Sequence, residues 1–168
     1  MCQGELYMKV LIVSDTHGKD ENLIRVLKKV GEIDLLIHLG DLQGSEDYIE
    51  AVAPCQVVMV SGNNDFYSEL PREKVIRIGD TKVFLTHGHY LYVSSGTSRL
   101  KDMAAQNQCS IAMFGHTHKP LIDTEGTIWA INPGSLSYPR QEGRQCSYIN
   151  MNVSENGKIE FSLGYLTD

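Results

Sequence analysis

The sequence predicts an α/β protein in which two mixed sheets pack face to face with helices outside, a four-layer α/β/β/α sandwich in a single domain. Three observations carry this reading. The first part of the chain runs strand, helix, strand, helix, strand, the signature of a parallel sheet with right-handed crossovers. The second part is rich in strand pairs separated by turn residues. The length of 168 residues fits one domain with a sizeable core.

Met8 to Ser14 is a continuous apolar run, as expected of a strand covered on both faces. After the loop from Asp15 to Lys19, Asp20, Glu21 and Asn22 open a helix with acidic groups where its dipole favours them. Leu23, Val26, Leu27 and Val30 keep the spacing of a core-facing stripe, and Gly31 ends the helix. Asp34 to Leu39 reads as the second buried strand. Ser45 caps a short helix to about Ala53, Pro54 stops it, and Gln56 to Val60 is the third strand. Lys74 to Ile78 and Thr81 to Thr86 flank Gly79-Asp80 as a hairpin. Ser98 to Asn107 is helical and Ser110 to Phe114 returns to strand. Two further hairpins follow: Leu121–Asp123 with Thr127–Ile131, and Ser147–Val153 with Lys158–Leu163. Residues 1–7 are expected to be an extension outside the fold, leaving 8–168 as the domain. No repeat or linker interrupts it.

Apolar content of 42% and charged content of 21% are ordinary for a globular protein. The net charge of −6 argues against a stable complex with nucleic acid or an acidic membrane, and no apolar run approaches the length of a span. It does not exclude a phosphate substrate, because bound cations would dominate the local field. The opening residues lack a basic region followed by an apolar one, so no secretory signal is expected. Cys2, Cys55, Cys109 and Cys146 form no CxxC pair, and reduced thiols in a cytoplasmic protein are expected.

The chemistry-bearing residues fall just after strands. Asp15 and His17 follow the first, Asp41 the second and Asn63 the third; His87, and then His116 and His118, follow later ones. Ligand crevices of open α/β folds lie at the carboxyl ends of strands. These seven candidates exceed the need of one metal and suit two, about 3.5–4 Å apart with one carboxylate bridging. Mixed imidazole, carboxylate and amide donors favour manganese, iron, cobalt, nickel or zinc over calcium or magnesium. His38, inside a buried strand, reads as a core or supporting histidine. His89 is left open between a ligand and a polar rim residue, and Asp65 between a positioning role and a turn. Arg140 reads as a solvated surface arginine, in preference to one whose fork reaches a substrate phosphate. Tyr90, Tyr92 and Tyr138 are candidates for an aromatic rim.

The ordered set Asp15-Thr16-His17, Gly40-Asp41, Gly62-Asn63-Asn64-Asp65, Thr86-His87-Gly88-His89 and Gly115-His116-Thr117-His118 resembles the calcineurin-like metallophosphoesterase superfamily, over about residues 8–165. The small size and the opening from Met8 to Gly18 resemble its compact YfcE-like phosphodiesterase branch, which also includes the retromer scaffold subunit of eukaryotes. The resemblance implies that Asp15, His17 and His118 hold a first divalent transition metal, that Asn63, His87 and His116 hold a second, and that Asp41 bridges them. Manganese is the foremost candidate. A hydroxide between the metals would attack a small phosphodiester in line. A homo-oligomer is implied as well, since compact relatives are often dimers or larger.

One departure bears on the reaction. Many larger members carry histidine directly after the ligand asparagine, where it assists the leaving group. Here that position is Asn64, which together with Asp41 is assigned to the catalytic set. An amide donates hydrogen bonds but is no general acid, and such acid help is typically worth about 10²–10⁴-fold. Diesters with good leaving groups are therefore expected over alkyl monoesters. The rival expectations are a retromer-type protein-binding scaffold with little or no catalysis, and a phosphomonoesterase.

Overall fold

The computed structural model describes residues 6–167. Strand β1 (Leu6–Val13) leads to helix α1 (Glu21–Val30), β2 (Leu35–His38), α2 (Glu46–Val52) and β3 (Gln56–Met59). Then come β4 (Glu73–Ile78), β5 (Thr81–Thr86), α3 (Ser98–Gln106) and β6 (Ile111–Met113). The chain closes with β7 (Pro120–Asp123), β8 (Trp129–Pro133), β9 (Ser147–Ser154) and β10 (Ile159–Tyr165). One sheet has the order β10-β9-β1-β2-β3 and the other β4-β5-β6-β8-β7. In the first, β1, β2 and β3 run parallel and β9 lies antiparallel to β1. In the second, β5, β6 and β8 are parallel, with β4 and β7 antiparallel at its edges.

The two-residue period of a strand explains the layers. Val10 and Ile12 point inward with Ile37 and Leu39, against Val83, Leu85, Ile111, Met113 and Ile131 of the facing sheet. Leu11 and Val13 point outward beneath Leu23 and Val26 of α1 and Ile49 of α2. On the opposite outer face Phe84, Ala112 and Phe114 pack under Leu100 and Ala104 of α3. The expected four-layer sandwich of mixed sheets is thus the fold. No helix among the described residues is long and apolar enough to cross a membrane.

Several expectations are corrected in detail. The ladder of β1 begins at Leu6, opposite Ser154, with a bulge before Met8, so Leu6 and Tyr7 extend the first strand instead of preceding the fold. The rest of the expected extension, residues 1–5, lies outside the described residues. Ser45 does stand at the N-terminus of α2, but its hydroxyl makes no cap; it donates to Leu42 O and Asp20 Oδ1. Those two acceptors orient the hydroxyl toward the loops, and its oxygen accepts no helix amide. Cys55 and Cys109 form no disulfide, and Cys2 lies outside the described residues.

Candidate metal centre

The parallel strands of both sheets deliver their carboxyl ends to one edge. Asp15 and His17 leave β1, Asp41 leaves β2, Asn63 leaves β3, His87 leaves β5, and His116 and His118 leave β6. Backbone bonds lace these loops together: Asp15 N–H to Gly40 O (3.0 Å), His17 N–H to Asp41 O (2.9 Å) and Gly115 N–H to His87 O (3.1 Å). Five of the seven residues hold left-handed backbone, with φ of 55° at Asp15, 49° at His17, 57° at Asp41, 70° at His116 and 57° at His118. That region costs a non-glycine residue about 1–2 kcal/mol. Such strain persists only where the surroundings over-determine it, and it gathers at functional sites.

Asp15, His17, Asp41 and His118 form a tight group, each offering one donor atom within 4.8 Å of the others. His118 Nε2 lies 3.1 Å from Asp15 Oδ1, and His17 Nε2 lies 3.7 Å from both Asp15 Oδ1 and Asp41 Oδ2. His87 stands on the far side of the two carboxylates, its Nε2 3.4 Å from Asp41 Oδ2 and 3.8 Å from Asp15 Oδ1. His116 joins there, with its ring 5.2 Å from that of His87 and its Nδ1 3.0 Å from Asn63 Oδ1. All seven expected residues therefore meet. Asp15, Asp41, His87 and His118 form a buried floor, while His17 and His116 are half-buried and Asn63 is exposed at the mouth.

The donor set fits divalent cations. His87 Nδ1 donates to Leu39 O at 2.6 Å and His118 Nδ1 donates to Tyr138 O at 2.7 Å. A carbonyl only accepts, so each ring, when neutral, presents an Nε2 lone pair to the centre. His87 Nε2 and Asp15 Oδ1 are buried without any hydrogen-bond partner. Lone pairs of imidazole and carboxylate facing one another demand positive charge, from protons or from metal. Without a cation, His17 and His87 would supply it. Burial would raise the Asp15 carboxyl, but the neighbouring imidazoles of His118, His17 and His87 outweigh burial and hold it far below the usual range. Asp41 is likewise held down to about 2, against burial, by His87 and Asn64. The His17 imidazole is raised, chiefly by the Asp15 carboxylate beside it. His87 is raised too: burial opposes its charge, but Asp41 and Asp15 prevail.

Supporting groups fill the second layer. Asn64 lies on Asp41, its backbone N–H 2.9 Å from Oδ1 and its Nδ2 2.8 Å from Oδ2. The expectation of Asn64 as a hydrogen-bond donor at the leaving group meets a side chain already engaged with a carboxylate. Asp65 is no mere turn residue: it accepts from Asp41 N and Gly62 N through Oδ2 and from Gln43 N through Oδ1, clamping the loops after β2 and β3. His38 is fully buried and its ring is held neutral, down to about 4, mainly by that burial. It accepts from Gly40 N and donates to Thr16 Oγ1, which matches a supporting role. His89 begins a short 3₁₀ turn with its ring 5.7 Å from His87, and forms no ion pair with Asp15 or Asp41 among the described residues. Tyr138 meets the His17 ring edge-on and carries Lys19 over its face, so it stands at the rim. Tyr92 stacks with Arg99 instead, and Tyr90 bonds Glu73. Ser14, Ser135 and Ser137 were not singled out by sequence. Ser14 donates to Asp15 Oδ2 at 2.6 Å, and the other two hydroxyls each donate to Asp15 O at 2.7 Å.

Comparison with known proteins agrees with this geometry. Residues 8–156 match the calcineurin-like phosphoesterase superfamily domain. A probable metallophosphoesterase of Methanocaldococcus jannaschii is 34% identical over 136 residues, spanning 79% of this chain and 70% of that one. The phosphodiesterase YfcE of Escherichia coli is 30% identical over 166 residues, spanning 84% of this chain and 85% of its own. The structure of vacuolar protein sorting 29 from Cryptosporidium parvum superposes with a TM-score of 0.76 at 20% identity, covering 98% of this chain and 100% of that one, a likeness of fold. The chain belongs to the calcineurin-like phosphoesterase superfamily.

Proposed function

We propose that this protein is a metal-dependent phosphodiesterase with a dinuclear centre. The observation that carries the reading is the buried cluster in which Asp15 Oδ1 and His87 Nε2, neither of them hydrogen-bonded, face further ligand atoms of Asp41, His17 and His118. Asp15, His17 and His118 would hold one cation, Asn63, His87 and His116 a second, and Asp41 would bridge. When bound, two divalent transition ions, manganese foremost among manganese, nickel, cobalt, iron and zinc, supply a water activated for in-line attack and Lewis-acid neutralisation of the phosphoryl oxygens. Asn64 fixes both oxygens of Asp41 and so sets the bridge. Since neither Asn64 nor any other catalytic residue proposed here is an acid poised to protonate a leaving alcohol, good leaving groups are favoured. The names of the relatives support diester chemistry. The proposal includes a small diester substrate, a cytoplasmic setting and self-association. A second reading, a protein-binding scaffold with little or no catalysis, is favoured by the likeness in fold to vacuolar protein sorting 29.

The assignment is tested with bis(p-nitrophenyl) phosphate. His87→Ala should lower turnover by more than about 10²-fold, and His89→Ala by less than about tenfold. Equal losses would place the ligand wrongly.

Metal should also stabilise the fold, and more so at higher pH. His17 and His87 have raised pKa values in the metal-free protein, so their contribution to stability is present below the ordinary value and is lost as pH rises through the raised one. Metal must displace those protons, so its affinity rises over the same window. Saturating manganese is expected to raise Tm by about 5–10 °C near pH 8 and by clearly less near pH 6, measured by differential scanning calorimetry. A shift independent of pH would remove His17 and His87 from the ligand set.

A further inference from the structure

A second cavity lies along the wall that carries the centre. It has a volume of about 580 Å³, an apolar side formed by Val93, Phe114 and Leu121, and a polar side formed by Thr117, Lys119 and Arg140. One short segment borders both the cavity and the centre. His116 turns its ring to His87 and His118 turns its ring to Asp15, while Thr117 and Lys119, alternating with them, line the cavity. The backbone N–H of Arg140 donates to His118 O at 3.0 Å, so its position is tied to a candidate ligand. Neither the Lys119 ammonium nor the Arg140 guanidinium has a hydrogen bond or ion pair among the described residues, although the chain as a whole carries a net charge of −6. The nearest carboxylate on the neighbouring strand β7, Asp123, is taken by Lys101 at 2.7 Å.

Two unneutralised cations beside an apolar surface match an anion attached to a ring. We propose that this cavity selects diesters whose retained alcohol is a nucleoside-like ring bearing a second phosphate. The ring rests on Pro120 and Leu121, in front of the buried Val93 and Phe114, and Lys119 and Arg140 receive the extra phosphate, Arg140 through its fork. This deepens the phosphodiesterase reading and rests on it. The net negative charge of the chain disfavours long nucleic acid, so the partner is a small molecule.

The test compares thymidine 5′-(p-nitrophenyl phosphate) with the same ester phosphorylated at its 3′ oxygen, using manganese-loaded protein and a Lys119→Ala/Arg140→Ala double variant. In the parent protein the 3′-phosphate should lower KM by about tenfold, with a benefit that shrinks as salt rises. The double variant should lose that preference and keep its kcat on bis(p-nitrophenyl) phosphate. Equal KM values for the two esters in the parent, or a preference that survives the double variant, would overturn the inference while leaving the phosphodiesterase intact. Turnover of neither ester by metal-loaded protein would overturn the phosphodiesterase reading, and this inference with it.

Discussion

Asp41→Asn is expected to abolish phosphodiester turnover, with a loss of at least about 10³-fold, and to weaken binding of both metals. The carboxylate is nearly fully buried and faces His17 on one side, at 3.7 Å, and His87 on the other, at 3.4 Å. A bridge between two cations needs an anionic carboxylate, and the substitution leaves a neutral carbonyl and an NH₂ group. The amide fails in a second way. Both oxygens of Asp41 accept from Asn64, through its backbone N–H and its Nδ2. An NH₂ in the Oδ1 place would face the Asn64 backbone donor, and one in the Oδ2 place would require the Asn64 amide to flip and accept from it, so the present anchoring of the bridge is lost either way. Metal content by mass spectrometry and turnover measured on the same preparation check both parts. Near-full activity in Asp41→Asn would contradict the site assignment.

Gly115→Ala should be nearly as damaging, though it removes no ligand. A Cβ at this position would overlap Ser14 Oγ and sit 2.8 Å from Asp15 Oδ2. Those two atoms already hydrogen-bond at 2.6 Å, and Asp15 Oδ2 also accepts from His116 N at 3.1 Å. The methyl group therefore wedges apart the loops after β1 and β6. Overpacking of a buried site costs about 1–3 kcal/mol, and misplacing a reacting group by about 1 Å costs about 10²-fold in rate. The expected result is a folded protein with Tm lowered by several degrees and turnover down about 10²-fold, read by calorimetry and by the diester assay. Wild-type turnover would show that contact between these loops does not set the geometry of Asp15. Gly62 plays the same part in the floor, where a Cβ would overlap Asp41 Oδ1 and lie 2.5 Å from Asp41 N.

Much of this was legible in the residues because both signals are local. A strand buried on both faces must be apolar, and the run from Val10 to Val13, fully buried in the fold, says so directly. The candidate ligands were legible because each sits a few residues past such a run, where chain direction alone decides which edge it reaches. The distribution of strands between the sheets was not legible. The hairpin of β9 and β10 joins the first sheet against β1, and β8 pairs in parallel with β6 besides forming a hairpin with β7. Those pairings are set by long-range packing, and no turn residue encodes them. The site showed the same divide. Residue type pointed to Asp15 and His87, but nothing in the sequence reveals that five of these residues hold positive φ, or that Asn64 and Asp65 spend their hydrogen bonds on neighbouring loops. At Ser45 the position was right, but its hydroxyl is oriented by Leu42 O and Asp20 Oδ1, to which it donates, and it accepts none of the helix amides that the local rule assigned to it.

The central claim is most directly tested by stripping the protein of metal and adding back manganese, nickel, cobalt, zinc or magnesium in turn, with bis(p-nitrophenyl) phosphate and p-nitrophenyl phosphate as substrates. The account predicts no turnover without metal, restoration by transition ions with manganese foremost, and the diester hydrolysed faster than the monoester. A folded protein that binds metal and hydrolyses neither ester would contradict it and favour the scaffold.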